Sequence, residues 1–169
     1  MKKLLVAGFW GLMVLIASDA ARGGAPRKED MPKYLQMLKT SQNAKDRALA
    51  AQMLGKRGQI NANDVADAIE PLTKSVNKDI DASVRKAAAE ALGNIGAEAT
   101  TVVPALRSAL KDKTVPVKMA AAVALGQFGT AAKDAVPDLR ALMKELNDKK
   151  NSKIIAGAIM NITAKKKKG

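Results

Sequence analysis

The chain writes one phrase three times: DRALAAQMLGKRG at 46–58, VRKAAAEALGNIG at 84–96 and VKMAAAVALGQFG at 117–129. A copy of this size cannot bury its apolar face alone, so the copies must stack and share one core. Aligning the basic residue near each start gives Arg47, Arg85 and Lys118, with Lys153 as a weaker fourth, at separations of 38, 33 and 35 residues. That period fits two helices per unit. The other half of each unit repeats as well, in DAIEPLTKSV, TTVVPALRSALK and DAVPDLRALMKEL, with MPKYLQMLK as a first copy. Pro32, Pro71, Pro104 and Pro137 stand just before a helical apolar pattern. Proline is tolerated in a first turn, whose amides have no intrahelical acceptor, so each is read as a helix start. Leu106 and Leu110, then Leu139, Leu142 and Leu146, give these first helices one apolar stripe.

In the second helices the alanines and glycines carry the argument. Val84, Ala88, Ala91, Leu92 and Ile95 form the inward face of VRKAAAEALGNIG. A glycine inside a helix costs about 1 kcal/mol relative to alanine. Its recurrence at Gly55, Gly93 and Gly126 therefore predicts a close backbone approach that offsets the loss. Gly58, Gly96 and Gly129 follow the last apolar residues, where a left-handed C-cap is cheapest for glycine.

VRxxAAxALGxIG, preceded by a helix with V-P-x-L, resembles the HEAT repeat in its short bacterial form, the phycobilisome-lyase HEAT-like repeat. The resemblance covers residues 31 to about 163 and is strongest in the second and third copies. In the first copy Arg57 replaces Ile95 and Phe128, and the fourth, KIIAGAIMNIT, lacks both glycines. The resemblance implies an all-α chain, a right-handed α-solenoid of about four helical hairpins, closed by a capping helix at 149–163. It also implies that Arg47, Arg85 and Lys118 tie one repeat to the next through a backbone or carboxylate contact.

Ahead of the repeats, MKKLLVAGFWGLMVLIASDA has a basic start at Lys2 and Lys3, an apolar run from Leu4 to Ala17, and small residues at Ser18 and Ala20. The run is short against the roughly 20 residues of a helical span, so 1–20 is read as a cleaved export signal. The expected organisation is then a flexible linker at 21–30, the repeat domain at 31–163 and a basic disordered tail at 164–169. The location this implies is periplasmic or extracellular. With no cysteine in the chain, the exported protein is stable through packing alone.

Loss of Lys2, Lys3 and Asp19 lowers the net charge from +13 to +12, which favours acidic partners. Beyond the signal only Tyr34 and Phe128 are aromatic, which argues against a single-strand nucleic-acid surface with its stacking platforms. Relatives in the resembling family include bilin lyases and hydroxylases whose His-Glu pairs hold a di-iron centre. This chain has no histidine. The ordinary transition-metal ligands and the Ser-His and Cys-His nucleophile arrangements are therefore missing, and no catalytic residue, metal or cofactor is expected. Glu90 has Gln52 and Val123 at the matching positions, so no carboxylate pair is formed.

Two surfaces remain as candidates. On the second helices, Lys86, Asn94, Met119, Val123 and Gln127 point outward on the side that lines the concave face of HEAT arrays, and would contact a protein partner. Met119 and Val123 are apolar where water is expected, unless the helix at 149–163 covers them. On the first helices, Lys74, Arg107, Lys111, Arg140 and Lys144, beside Lys39, make a basic ridge. With the tail lysines Lys165, Lys166, Lys167 and Lys168 it would suit an anionic envelope polymer or membrane surface. The expected function is a non-catalytic protein-interaction scaffold in the bacterial envelope. Adhesion to such a polyanion is the alternative, and a lyase or oxidoreductase a minor one. N-terminal sequencing of the protein from its host should read from Ala21; a membrane-retained chain beginning at Met1 would replace the export signal by an anchor.

Overall fold

The structure, a computed structural model, describes residues 26–164. The expected export signal and lysine tail lie outside these residues. Among the described residues, eight α-helices pair into four hairpins: α1 (Met31–Thr40) with α2 (Ala44–Ile60), α3 (Ile69–Lys78) with α4 (Ala82–Ile95), α5 (Ala99–Ala109) with α6 (Val115–Gln127), and α7 (Val136–Leu146) with α8 (Lys149–Thr163). The all-α solenoid expected from the repeats is the observed fold. Short 3-10 segments, Ala62–Ala68 and Gly129–Ala135, join the first hairpin to the second and the third to the fourth.

Local chemistry sets each second helix. Asn43, Asp81 and Asp148 cap α2, α4 and α8 by accepting from the backbone amides of Lys45, Ser83 and Lys150. At α6, Pro116 in the first turn lacks an amide to satisfy. Gly96 and Gly129 turn the chain out of α4 and α6 with left-handed φ values of 65° and 54°. The apolar stripe of the first helices is buried as its spacing predicts, with Leu72, Leu106 and Leu139 all at 0% exposure.

The second helices stack on one another along a seam of small residues. A β-carbon at Gly55 would lie 2.7 Å from the Cα of Ala91; at Gly93, 2.8 Å from the Cβ of Ala124; and at Gly126, 2.9 Å from the Cα of Ala158. Each glycine thus faces the alanine of the next repeat. Neighbouring first helices, with leucines between them, touch far less. Closer packing on one side bends the stack toward it, which places α2, α4, α6 and α8 on the concave face.

This seam fixes the register of the fourth copy. Ala158 occupies the place of Ala91 and Ala124, so Met160 stands where the other copies have glycine, and Ser152 rather than Lys153 aligns with Lys118. The shift comes from one extra residue in the loop between α7 and α8, absorbed by Asn147 at φ 42°.

Three further expectations change. Pro104 lies inside α5 because Glu98, at φ 53°, starts the helix at Ala99; the carbonyl that loses its donor belongs to exposed Thr100. Gly58 is not a C-cap, since α2 runs on to Ile60. A β-carbon there would lie 2.3 Å from Ile95 Cγ1 and 2.9 Å from Val65 Cγ2, so the glycine makes room for the next repeat. Part of the linker expected at 21–30 is structured as well, with a 3-10 turn at Lys28–Asp30.

Two alanine substitutions should therefore have opposite signs. Gly157 lies within α8 with nothing within 4 Å of a β-carbon, and Gly157→Ala should stabilise by about 1 kcal/mol. Gly55→Ala gains the same propensity but forces two backbones apart, for a net loss of about 1–2 kcal/mol. Urea unfolding of both variants measures the difference; two gains would mean that the seam has slack.

Candidate functional site

Three groups of side chains lie outside the core, and the first is occupied with holding the repeats together. Arg47 donates from Nε and Nη2 to the carboxylate of Asp79 in the next repeat, both at 2.8 Å, and from Nη1 to the carbonyl of Ser41 at 3.0 Å. Arg85 repeats the pattern with Asp112, at 2.6 and 3.0 Å, and with the carbonyl of Asp79 at 2.9 Å. Lys118 closes the series on Glu145. The three acids are 33 residues apart, one per repeat. This is the inter-repeat tie the family resemblance implied, and it removes these cations from any binding surface. The side chains of Arg85 and Asp112 are only 6% and 10% exposed, so the planar fork and both oxygens are matched away from water.

The second group forms the concave face. Four rows cross it: Ala48, Gln52 and Lys56 on α2; Lys86, Glu90 and Asn94 on α4; Met119, Val123 and Gln127 on α6; Lys153, Gly157 and Asn161 on α8. Met119 packs partly against the core, whereas Val123 keeps 45% exposure, so α8 does not cover the pair. Beside Val123 the matching position on α8 is Gly157, whose missing side chain leaves open space. The result is an apolar floor of Met119, Val123 and Gly157. Its rim is polar: Lys86 pairs with Glu90 at 3.2 Å, and Gln127 donates to Asn94 at 3.4 Å. The fixed floor and rim bring together all five residues that the sequence pointed to.

The third group is the ridge at the loop end of the first helices. Lys39, Lys78, Lys111 and Lys144 occupy the same position in four successive repeats, all exposed. Sequence reading missed Lys78, although it lies 33 residues before Lys111. Lys74 and Arg140 flank this row. Arg107 departs from the expectation of a free cation: its Nε donates to Asp138 of α7, the first helix of the next repeat, at 2.7 Å. Lys74 has no such partner because the matching residue, 33 positions before Asp138, is Ala105. Between α1 and α3 the ridge opens into a recess of about 600 Å³, lined by Leu38, Lys39, Pro71, Lys74, Lys78 and Ile80 among others.

The family model for HEAT repeats matches residues 31–102 and 98–160. The chain belongs to the HEAT-repeat family. A crystal structure of an engineered protein is similar, with a TM-score of 0.64 and 28% identity over 79% of this chain and 62% of that one. The chain thus spans less than two thirds of that protein's length. A search of curated proteins finds no match. Proteins built from HEAT repeats generally mediate protein–protein contacts. Among the described residues no group of three or more His, Cys, Asp or Glu could hold a metal ion, and no helix is long and apolar enough to cross a membrane.

The HEAT ladder has a pH signature. Burial works against ionisation of Asp112, but the Arg85 guanidinium and the amide and hydroxyl of Thr114 outweigh it and hold its pKa down to about 2, from 3.8. Since the folded carboxyl ionises more readily than the unfolded one, its contribution is complete above about pH 4 and disappears as pH falls toward about 2. The difference corresponds to about 2 kcal/mol. Asp112→Asn should lower stability by about that amount at neutral pH and flatten the acid limb between about pH 4 and 2. Urea titrations across that range test it; an acid limb parallel to the parent's would show that Asp112 contributes nothing there.

Proposed function

We propose that this HEAT-repeat protein is a non-catalytic scaffold that binds another protein through its concave face, as an exported component of the bacterial envelope. The observation that carries the reading is the exposed Val123 beside the open space at Gly157, framed by Lys86, Asn94 and Gln127. An apolar centre within a polar rim is how protein interfaces exclude water around their energetic core. A rigid solenoid holds such a floor without an ordering cost on binding. The absence of histidine and cysteine from the whole chain weighs against the lyase and hydroxylase chemistry of the phycobilisome-lyase type of repeat. Export rests on the pattern of residues 1–20.

The alternative, adhesion to an anionic polymer or membrane, draws on the exposed lysine row and on Lys165 to Lys168. Salt separates the two. Surface charge contacts are screened over a Debye length of about 8 Å at physiological ionic strength, whereas apolar burial is not. Val123→Asp replaces a half-exposed side chain and should leave thermal stability unchanged. In affinity capture from envelope extract, it should abolish retention of partners that the parent holds at both low and high salt. Deletion of residues 165–169 should weaken capture at low salt only. Partners held equally by the parent and Val123→Asp, and released from both by salt, would favour the polyanion.

A further inference from the structure

The recess between α1 and α3 combines features that the concave-face reading does not use. Lys39 and Lys78 end their helices, where a cation complements the negative C-terminal dipole, and by themselves would need no ligand. Lys74 has no such explanation. It stands a full turn before the end of α3, exposed, and none of these three lysines has an ion pair among the described residues. The neighbouring cation Arg47 is neutralised by Asp79, so the uncompensated charge sits at the rim of the recess. Glu70 is the one other acid lining it.

Ile80 is the second observation. It is 88% exposed at the tip of the loop between α3 and α4, the most exposed large apolar side chain among the described residues. Nothing in the fold requires it there: Arg85 uses only the carbonyl of Ile80, at 3.2 Å, a contact any residue could offer. Half-buried Pro71 adds apolar surface to the recess, while Leu38, which also borders it, is buried in the core. An exposed isoleucine beside three lysines, with Glu70 the single acid not already held by an arginine, leaves the recess net positive and suits a ligand with carboxylates and an apolar side chain close together.

We propose that this recess binds an acidic, extended polypeptide segment, whose carboxylates meet Lys39, Lys74 and Lys78 and whose apolar side chain packs between Ile80 and Pro71. Beyond the recess the segment can follow the lysine row toward Lys111, since each repeat presents one lysine at the same position. A polyphosphate chain offers nothing to Ile80. A flat membrane offers headgroups to the ridge but cannot enter a recess of about 600 Å³. The site lies on a different face from Val123, so it operates beside the concave interface.

The probe is a fluorescent peptide of alternating glutamate and leucine, with poly-glutamate, polyphosphate and phosphatidylglycerol vesicles as comparisons, titrated with the full-length mature protein. Lys74→Glu with Lys78→Glu should weaken peptide binding at least about tenfold, because rim charges of the wrong sign repel the ligand. Arg140→Glu with Lys144→Glu changes the net charge equally but lies away from the recess, and should weaken it by less than about threefold. Ile80→Ser should reduce binding of the glutamate-leucine peptide about fivefold, roughly a buried methylene or more, and leave poly-glutamate unaffected. Val123→Asp, although it should abolish capture at the concave face, should leave binding of this peptide at the recess unaltered. Equal losses from the two charge-reversed pairs would show general attraction and overturn the proposal. So would binding of polyphosphate or vesicles that matches the peptide's and ignores Ile80→Ser, or a loss in Val123→Asp, which would place the peptide on the concave face.

Discussion

The absence of a single carbon atom at Gly55, Gly93 and Gly126 governs the geometry of this array. At each position a β-carbon would sit under 3 Å from the next helix, inside the distance that real contacts allow. Without it, dispersion contacts form along whole helix faces, which individually are small and together large. The same closeness on one side only gives the stack its curvature and hence a concave face. The carboxylate ladder depends on it in turn. Arg47 and Arg85 reach two consecutive loops at once because the seam has already fixed how far apart successive repeats lie. The seam sets spacing, and the ladder, with its bidentate forks, resists rotation of one hairpin on the next.

Both ends of the array depart from the repeat for the same reason. A surface that meets a neighbour in the middle meets water at the end. In the first copy, the place of Ile95 and Phe128 is taken by Arg57, whose Nε donates to Asp64 at 2.7 Å, while Lys28 reaches the same carboxylate at 3.2 Å. In the fourth, Met160 replaces the seam glycine and is 66% exposed. A long side chain there prevents another helix from approaching at the distance seen between Gly126 and Ala158. The exposed face of α8 thus lacks the small residue through which the other second helices stack.

The repeated phrase made the architecture legible before any coordinates, and with it the close approach at the glycines and the bounds of the last helix, Lys149–Thr163. What depended on one residue of loop length was not legible. Ser152 aligns with Lys118 only because Asn147 absorbs an insertion, and no periodicity reports a left-handed φ. Pro104 failed as a helix start because a turn at Glu98 set the boundary earlier than proline preference could show. Partners across repeats were hidden for a different reason. Asp79, Asp112 and Glu145 recur at an equal spacing, but only stacking shows that each belongs to the arginine or lysine of the preceding unit. Lys78 shares its position with Lys39, Lys111 and Lys144, but in DAIEPLTKSV it falls beyond the repeated phrase. The recess it lines is made by two repeats jointly, and neither sequence segment contains it.

Charge is sorted on this molecule by what the fold demands of it. Cations at the ladder are neutralised and nearly buried, and Lys86 on the concave face is paired with Glu90. Lys56 and Lys153 are exposed on the concave face without an ion pair among the described residues, and Lys39, Lys78, Lys111 and Lys144 stand at the ends of the first helices. There, helix dipoles tolerate them and the larger spacing between first helices opens room for a ligand. The curvature that closes the seam on one side therefore opens the recess on the other. An array packed with equal spacing on both sides would have neither a concave floor at Val123 nor a basic recess at Ile80. Two surfaces of different chemistry thus follow from one asymmetry in helix packing, with the salt-sensitive one on the outside of the curve and the apolar one within it.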